Sequence, residues 1–168
     1  MTDIAFYHLT SSTEEDALPL LLNKTMAAGK KAVVSSSASS MANLSSAVWS
    51  FGHMASGRKG VTYGGDGSWL PHGIAGKDDD DASLCPIWFS GDTEKNLNNA
   101  EFGFFLDGQE PSSMLESNEQ LDRIFILFNG LDDNAVTRAR VQWKSLRDQG
   151  HDLSYWTQDD SGKWQKTA

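Results

Sequence analysis

The 168-residue sequence predicts an α/β fold: a single three-layer α/β/α sandwich around a mostly parallel sheet. Three observations predict it. The chain opens strand–helix–strand–helix, an order that calls for right-handed crossovers between parallel strands. The run Ile124-Phe125-Ile126-Leu127-Phe128 is apolar without alternation, as a central strand buried on both faces requires. An amphipathic helical pattern then runs from Asp132 to about Asp148.

Taken in order, residues 4–8 are β-branched and aromatic and form a first strand. Ser12 and Glu15 have capping-box spacing, and a leucine-rich helix follows to about Ala28, with Gly29 as its stop. Pro19 conflicts with an unbroken helix, so the helix either kinks there or starts near Leu18. Ala32, Val33 and Val34 form a second strand. A serine-rich turn at 35–40 caps a helix over 40–51, whose Met41, Leu44, Val48 and Phe51 face the core. Residues 52–68 are glycine-rich and read as a flexible surface loop, and 76–81 as a second exposed loop. Strands are expected at 85–89 and at 102–106, the latter ending at the Asp107-Gly108 turn, and a short helix at 113–118. The apolar strand at 122–128 turns at Asn129-Gly130 into the late helix, which stops at Gly150. Residues 153–156 form a last, edge strand. The organisation expected is one domain over 1–157 and a polar C-terminal tail over 158–168.

Composition narrows the function. The net charge is −9, which disfavours broad charge-driven binding to nucleic acid. The single cysteine, Cys85, excludes an intramolecular disulfide and a multi-cysteine zinc site, fits a reducing cytoplasm, and is expected in a strand as a small core residue. No segment has the pattern of a signal peptide, and no run reaches the ~20 apolar residues that span a bilayer, so no membrane partner is expected.

The loops lack nucleotide chemistry. Gly73-Ile74-Ala75-Gly76-Lys77 has Pro71 where a P-loop needs its first glycine, and Asp78 where it needs Ser or Thr. The first strand leads into Leu9-Thr10-Ser11-Ser12 and not into a Gly-x-Gly-x-x-Gly turn. The fold is therefore Rossmann-like without a P-loop. His8, His53, His72 and His151 lack ligand spacing, no nucleophile elbow surrounds Ser35, Ser36 or Ser37, and the acidic run at 78–81 lacks the oxygen spacing of a calcium loop. No catalytic residue, metal site or cofactor is expected.

Two features want a partner. The first is the segment from Arg138 to Arg147, which holds four of the 14 basic residues. On a helix, Arg140, Lys144 and Arg147 fall within roughly 60° of arc, with Trp143 at the border of the apolar face. Such a row suits an acidic peptide with a hydrophobic end; the same pattern also describes a solvated helix face. Arg138 lies on the far side. The second feature is Trp49 with Trp69, Leu70 and Pro71, either a contact surface or simply core.

Several segments also stand in a familiar order and spacing: Phe6-Tyr7-His8-Leu9, Ala27-Ala28-Gly29-Lys30, Ala47-Val48-Trp49-Ser50-Phe51, Leu70-Pro71-His72-Gly73-Ile74-Ala75-Gly76 and Arg140-Val141-Gln142-Trp143-Lys144-Ser145-Leu146-Arg147. In these the chain resembles the chi subunit family of bacterial DNA polymerase III holoenzyme, over nearly its full length. The resemblance implies a non-catalytic accessory subunit of the clamp-loader assembly, with the polymerase active site in another chain. It implies a link to single-stranded-DNA-binding protein, and so indirect contact with single-stranded DNA. The acidic C-terminal tail of that protein would dock on the late helix. Arg140 and Lys144 would hold its terminal carboxylate and acids, Arg147 would add a charge contact, and Trp143 would be the aromatic wall. A psi subunit would meet a different surface, at Trp49, Trp69, Leu70 and Pro71. Two departures stand out: Val136 occupies a position where some members carry lysine, and the glycine-rich stretch is longer than in the shortest members. The alternatives are direct binding of single-stranded DNA, and a small-molecule enzyme on a degenerate nucleotide-binding fold.

Overall fold

A computed structural model describes residues 2–55, 70–77, 81–91, 93, 95–117 and 121–168. Most of the glycine-rich loop, Trp69, Asn118 and most of the acidic run at 78–81 lie outside the described residues.

The chain forms β1 (Asp3–Leu9), α1 (Glu14–Ala27), β2 (Ala32–Ser35), α2 (Ala38–Ala55), β3 (Gly73–Ile74), β4 (Ile87–Ser90), β5 (Phe102–Phe105), α3 (Ser112–Ser117), β6 (Arg123–Asn129), α4 (Asp133–Asp148), β7 (Asp152–Gln158) and β8 (Trp164–Lys166). The strands make one sheet in the order β3-β4-β2-β5-β6-β1-β7-β8. Every neighbouring pair is parallel except β7–β8. Alternation along β1 divides the core into two layers. Ala5, Tyr7 and Leu9 pack with Leu18, Leu22, Leu44 and Val48 of α1 and α2. Ile4 and Phe6 pack with Met114 of α3 and with Ala135, Ala139 and Leu146 of α4. Helices on both faces of a mostly parallel sheet make the three-layer sandwich that the sequence predicts.

The start of α1 differs from expectation. The capping box is Thr13 with Asp16, each side chain accepting from the other's backbone N–H, and not Ser12 with Glu15. Ser12 is otherwise engaged. Its N–H donates to Gln158 Oε1 at 3.2 Å, and its hydroxyl accepts from Gln158 Nε2. The helix then runs unbroken through Pro19, which is buried with Leu18 and Leu22 against the sheet. An interior proline removes one helical hydrogen bond, and the apolar burial around it offsets that loss.

The C-terminal segment also differs. β7 is not the edge strand, because the expected polar tail folds back as β8 and pairs antiparallel with it, Gln158 opposite Trp164. The Asp159 carboxylate builds the turn by accepting from the N–H groups of Ser161 and Lys163, both at 2.9 Å. Trp164 closes edge-on against Tyr7, ring centroids 4.7 Å apart. At the other end, β4 starts at Ile87, so Cys85 sits before the strand, half-exposed, and is not a core residue. β3 was not expected. α2 begins two residues earlier than its pattern indicates and extends to Ala55, taking the first residues of the expected loop into helix.

Candidate peptide-binding face on the late helix

α4 is fixed at both ends. Asp132 caps it by accepting from the Asn134 N–H at 2.9 Å, and Asp133 adds negative charge to the first turn. Arg147 supplies positive charge to the last turn, and Gly150 takes a left-handed φ of +86° just beyond it. Ala135, Ala139, Gln142 and Leu146 are buried against the sheet. Gln142 was not expected there. Its amide donates to the carbonyls of Gly108 and Gln109 at 3.3 and 3.2 Å, pairing the buried side chain with two loop carbonyls. Nothing in the periodicity distinguishes such a glutamine from a solvated one.

Arg140, Lys144 and Arg147 are all exposed on the outward side of the helix, as the spacing predicts. Arg147 pairs with its neighbour Asp148 at 3.3 Å, both more than half exposed, which leaves its charge available. Among the described residues, no carboxylate lies within ion-pair distance of Arg140 or Lys144. Trp143 is half-buried on the border between stripe and core. Its ring stands edge-on to Phe6 at 5.1 Å and to Tyr155 at 5.7 Å. The tryptophan is thereby held by β1 and β7 and presents a fixed flank to the cationic row. Tyr155 extends that flank, a residue that the sequence pattern did not single out. Its hydroxyl bonds His8 Nδ1 at 2.9 Å. Burial pushes the Tyr155 phenol above its ordinary value, while the charge of Arg140 draws it partly back. Val136 is half-buried and packs on the same core layer.

The second expected surface lies on the other side of the sheet. Trp49, on α2, is 42% exposed and is therefore not a core residue. Its ring lies 4.4 Å from that of His72, which is tied between the Ser45 hydroxyl at 2.7 Å and the Leu70 carbonyl at 2.8 Å. Pro71 is exposed beside them, whereas Leu70 is 1% exposed and supports the surface from beneath. Leu84, 79% exposed, lines the same shallow concavity with Cys85 and Pro86. A lone leucine in a polar loop gave no periodic signal that could have marked it.

The strand–helix turn where many nucleotide-binding α/β folds hold phosphate is already occupied by a side chain. The N–H groups of Thr10, Ser11 and Ser12 all donate to Gln158 Oε1, at 3.3, 3.1 and 3.2 Å. Among the described residues, no group of three or more His, Cys, Asp or Glu could hold a metal ion. No helix among them is long and apolar enough to cross a membrane.

The model of one protein family, described as the DNA polymerase III chi subunit, HolC, matches residues 1–56 and 62–154. The chain belongs to that family. It is thus related to an accessory subunit of the replicative polymerase, and its place is in DNA replication. The match takes in α4 with its whole cationic row, and α2 with Trp49. No curated protein sequence matches the chain.

Proposed function

We propose that this chi-family protein bridges the clamp-loader assembly to single-stranded-DNA-binding protein, gripping the latter's acidic C-terminal tail on the outward face of α4. It is not an enzyme by itself in this reading; the polymerase active site belongs to another chain of a cytoplasmic complex. The observation that carries the proposal is the cationic row. Among the described residues, Arg140 and Lys144 are exposed and without ion-pair partners, on a protein of net charge −9 and beside a tryptophan locked at the edge of the core. An acidic peptide ending in an aromatic carboxylate meets each part. The carboxylates take Arg140 and Lys144, Arg147 adds longer-range attraction, and the terminal ring packs against Trp143. Exposed charge pairs contribute only ~0–1 kcal/mol each, so the ring supplies much of the affinity, which should fall near ~1 μM, about −8 kcal/mol. Contact with single-stranded DNA is indirect, through the bound protein.

The surface around Trp49 serves a second partner in the same proposal, a psi-type clamp-loader subunit. Trp49 and Pro71 would meet it, Leu70 would support them from below, and Trp69 is assigned to it by sequence alone. Surface capture of intact single-stranded-DNA-binding protein, compared with a form lacking its tail, tests the central contact. The intact protein should bind and the tail-less form should not. Equal binding of both, or binding of a bare oligonucleotide as tightly, would sink the proposal.

A further inference from the structure

Trp143 is the one aromatic wall so far assigned to the face of α4, and the sheet supplies a second. Tyr155 of β7 stands opposite Phe6 of β1 and packs in the same core layer as α4. Its ring meets that of Trp143 at 73°, so the two form a corner. Phe6, fully buried and in edge contact with Trp143, lies at the base of that corner. Both upper rings are only half-buried, which leaves part of each at the surface on the flank of the cationic row. Tyr155 lies one residue past the stretch matched to the family, so membership assigns it no part.

The tyrosine is also pinned. Its hydroxyl bonds His8 Nδ1 at 2.9 Å, and its ring stands edge-on to the imidazole, at 87°. His8 is fixed in turn by two contacts. It stacks on Phe128 at 5.1 Å, and it fills the space over Gly130, where a Cβ would come within 2.0 Å of the imidazole. Gly130, His8, Tyr155 and Trp143 thus hold one another in sequence, from the turn before α4 back to α4 itself. A ring fixed in this way can take up a partner without losing rotamer freedom.

We propose that Tyr155, held by His8, is the second wall of the tail site and the residue that makes it prefer a terminal ring to a terminal aliphatic chain. A ring set into the corner meets one wall in offset stacking and the other edge-on, the two arrangements that aromatic pairs favour. A leucine in the same place gains contact area alone. The inference rests on the reading of α4 as the peptide face, and adds to it the choice of last residue.

Isothermal titration with two acidic tail peptides, identical but for a last residue of phenylalanine or leucine, tests this. The wild-type chain should bind the phenylalanine form about tenfold more tightly. Tyr155→Leu should cut that preference to about twofold by weakening the phenylalanine form alone. Tyr155→Phe keeps the ring and the core packing but loses the tether to His8, and should weaken the phenylalanine form about threefold. Lys144→Ala should weaken both peptides alike and leave the preference intact, because charge does not read the ring. An undiminished preference in Tyr155→Leu, with Lys144→Ala still weakening both peptides, would overturn this inference and leave the peptide face standing. Wild-type affinity in Tyr155→Phe would overturn the part given to His8. Binding of neither peptide to the wild type would overturn both readings.

Discussion

The outward face of α4 and the surface around Trp49 stand on opposite layers of the sheet, and they are open for opposite reasons. On α4 the buried residues, Ala135, Ala139, Gln142 and Leu146, take up the side turned to the sheet, and the long basic side chains of the opposite side point to water. Around Trp49 it is apolar surface that stays exposed: the indole, Pro71 and Leu84. The first face attracts at range and releases when ions screen it. The second gains from removing apolar area from water and ignores salt. In the proposed function, one protein thereby carries a reversible, charge-read contact and a salt-indifferent one, on opposite layers of the sheet.

That contrast can be broken most forcefully at Trp49. Replacing Trp49 by Ala should cost the apolar contact about 2–3 kcal/mol, since a half-exposed tryptophan beside proline and leucine has the character of a hot spot. Affinity for the psi-type subunit, measured at low and high salt, should fall by a similar factor in both, while tail-peptide affinity stays level. A loss confined to low salt would show that charge governs this surface as well.

A smaller effect separates stability from either contact. Burial, then the Asp107 charge, then that of Glu15 push Glu14 up to about 7 in the folded chain against an ordinary 4.5. Between those values the folded state holds the extra proton, so the stability this group lends is present below pH 4.5 and is lost as pH rises through 7. Glu14→Gln should therefore raise stability by about 1–2 kcal/mol at pH 8 and leave it unchanged near pH 4. Urea unfolding at the two values reads this directly, and a variant less stable at pH 8 would contradict the buried-carboxyl account.

The smallest effect is expected at Arg138. It lies against Gly108, away from Arg140 and Lys144. Arg138→Ala should change tail-peptide affinity by less than about twofold, the screened contribution of a remote surface charge. A loss as large as that from Arg140→Ala would mean that the contact is a diffuse basic field and not a row.

Much of this was legible in the sequence where one side chain's chemistry decides its own surroundings. The unalternating run of β6 and the 3.6-residue period of α4 each carry their burial within themselves. The short elements do not. β3 is two residues long and β8 three, and both are ordered by a neighbouring strand already in place. The capping box was misplaced by one residue because Ser12 and Thr13 both have suitable partners three residues on. The choice between them is made by Gln158, 146 residues away. Gln142 was hidden for the same reason: its partners are loop carbonyls 33 and 34 residues away. Of the candidate site, the row of charges was readable by angle alone. The flank that Tyr155 adds beside Trp143 needed the register of β7 against β1.

The central claim rests on Lys144, exposed in the middle of that row. Isothermal titration of an acidic tail peptide ending in phenylalanine, against the wild-type chain and Lys144→Ala, tests it most directly. The account predicts micromolar affinity for the wild type, weakening with added salt, and a roughly fivefold weaker Lys144→Ala, about 1 kcal/mol. Equal affinities for the two proteins would contradict it.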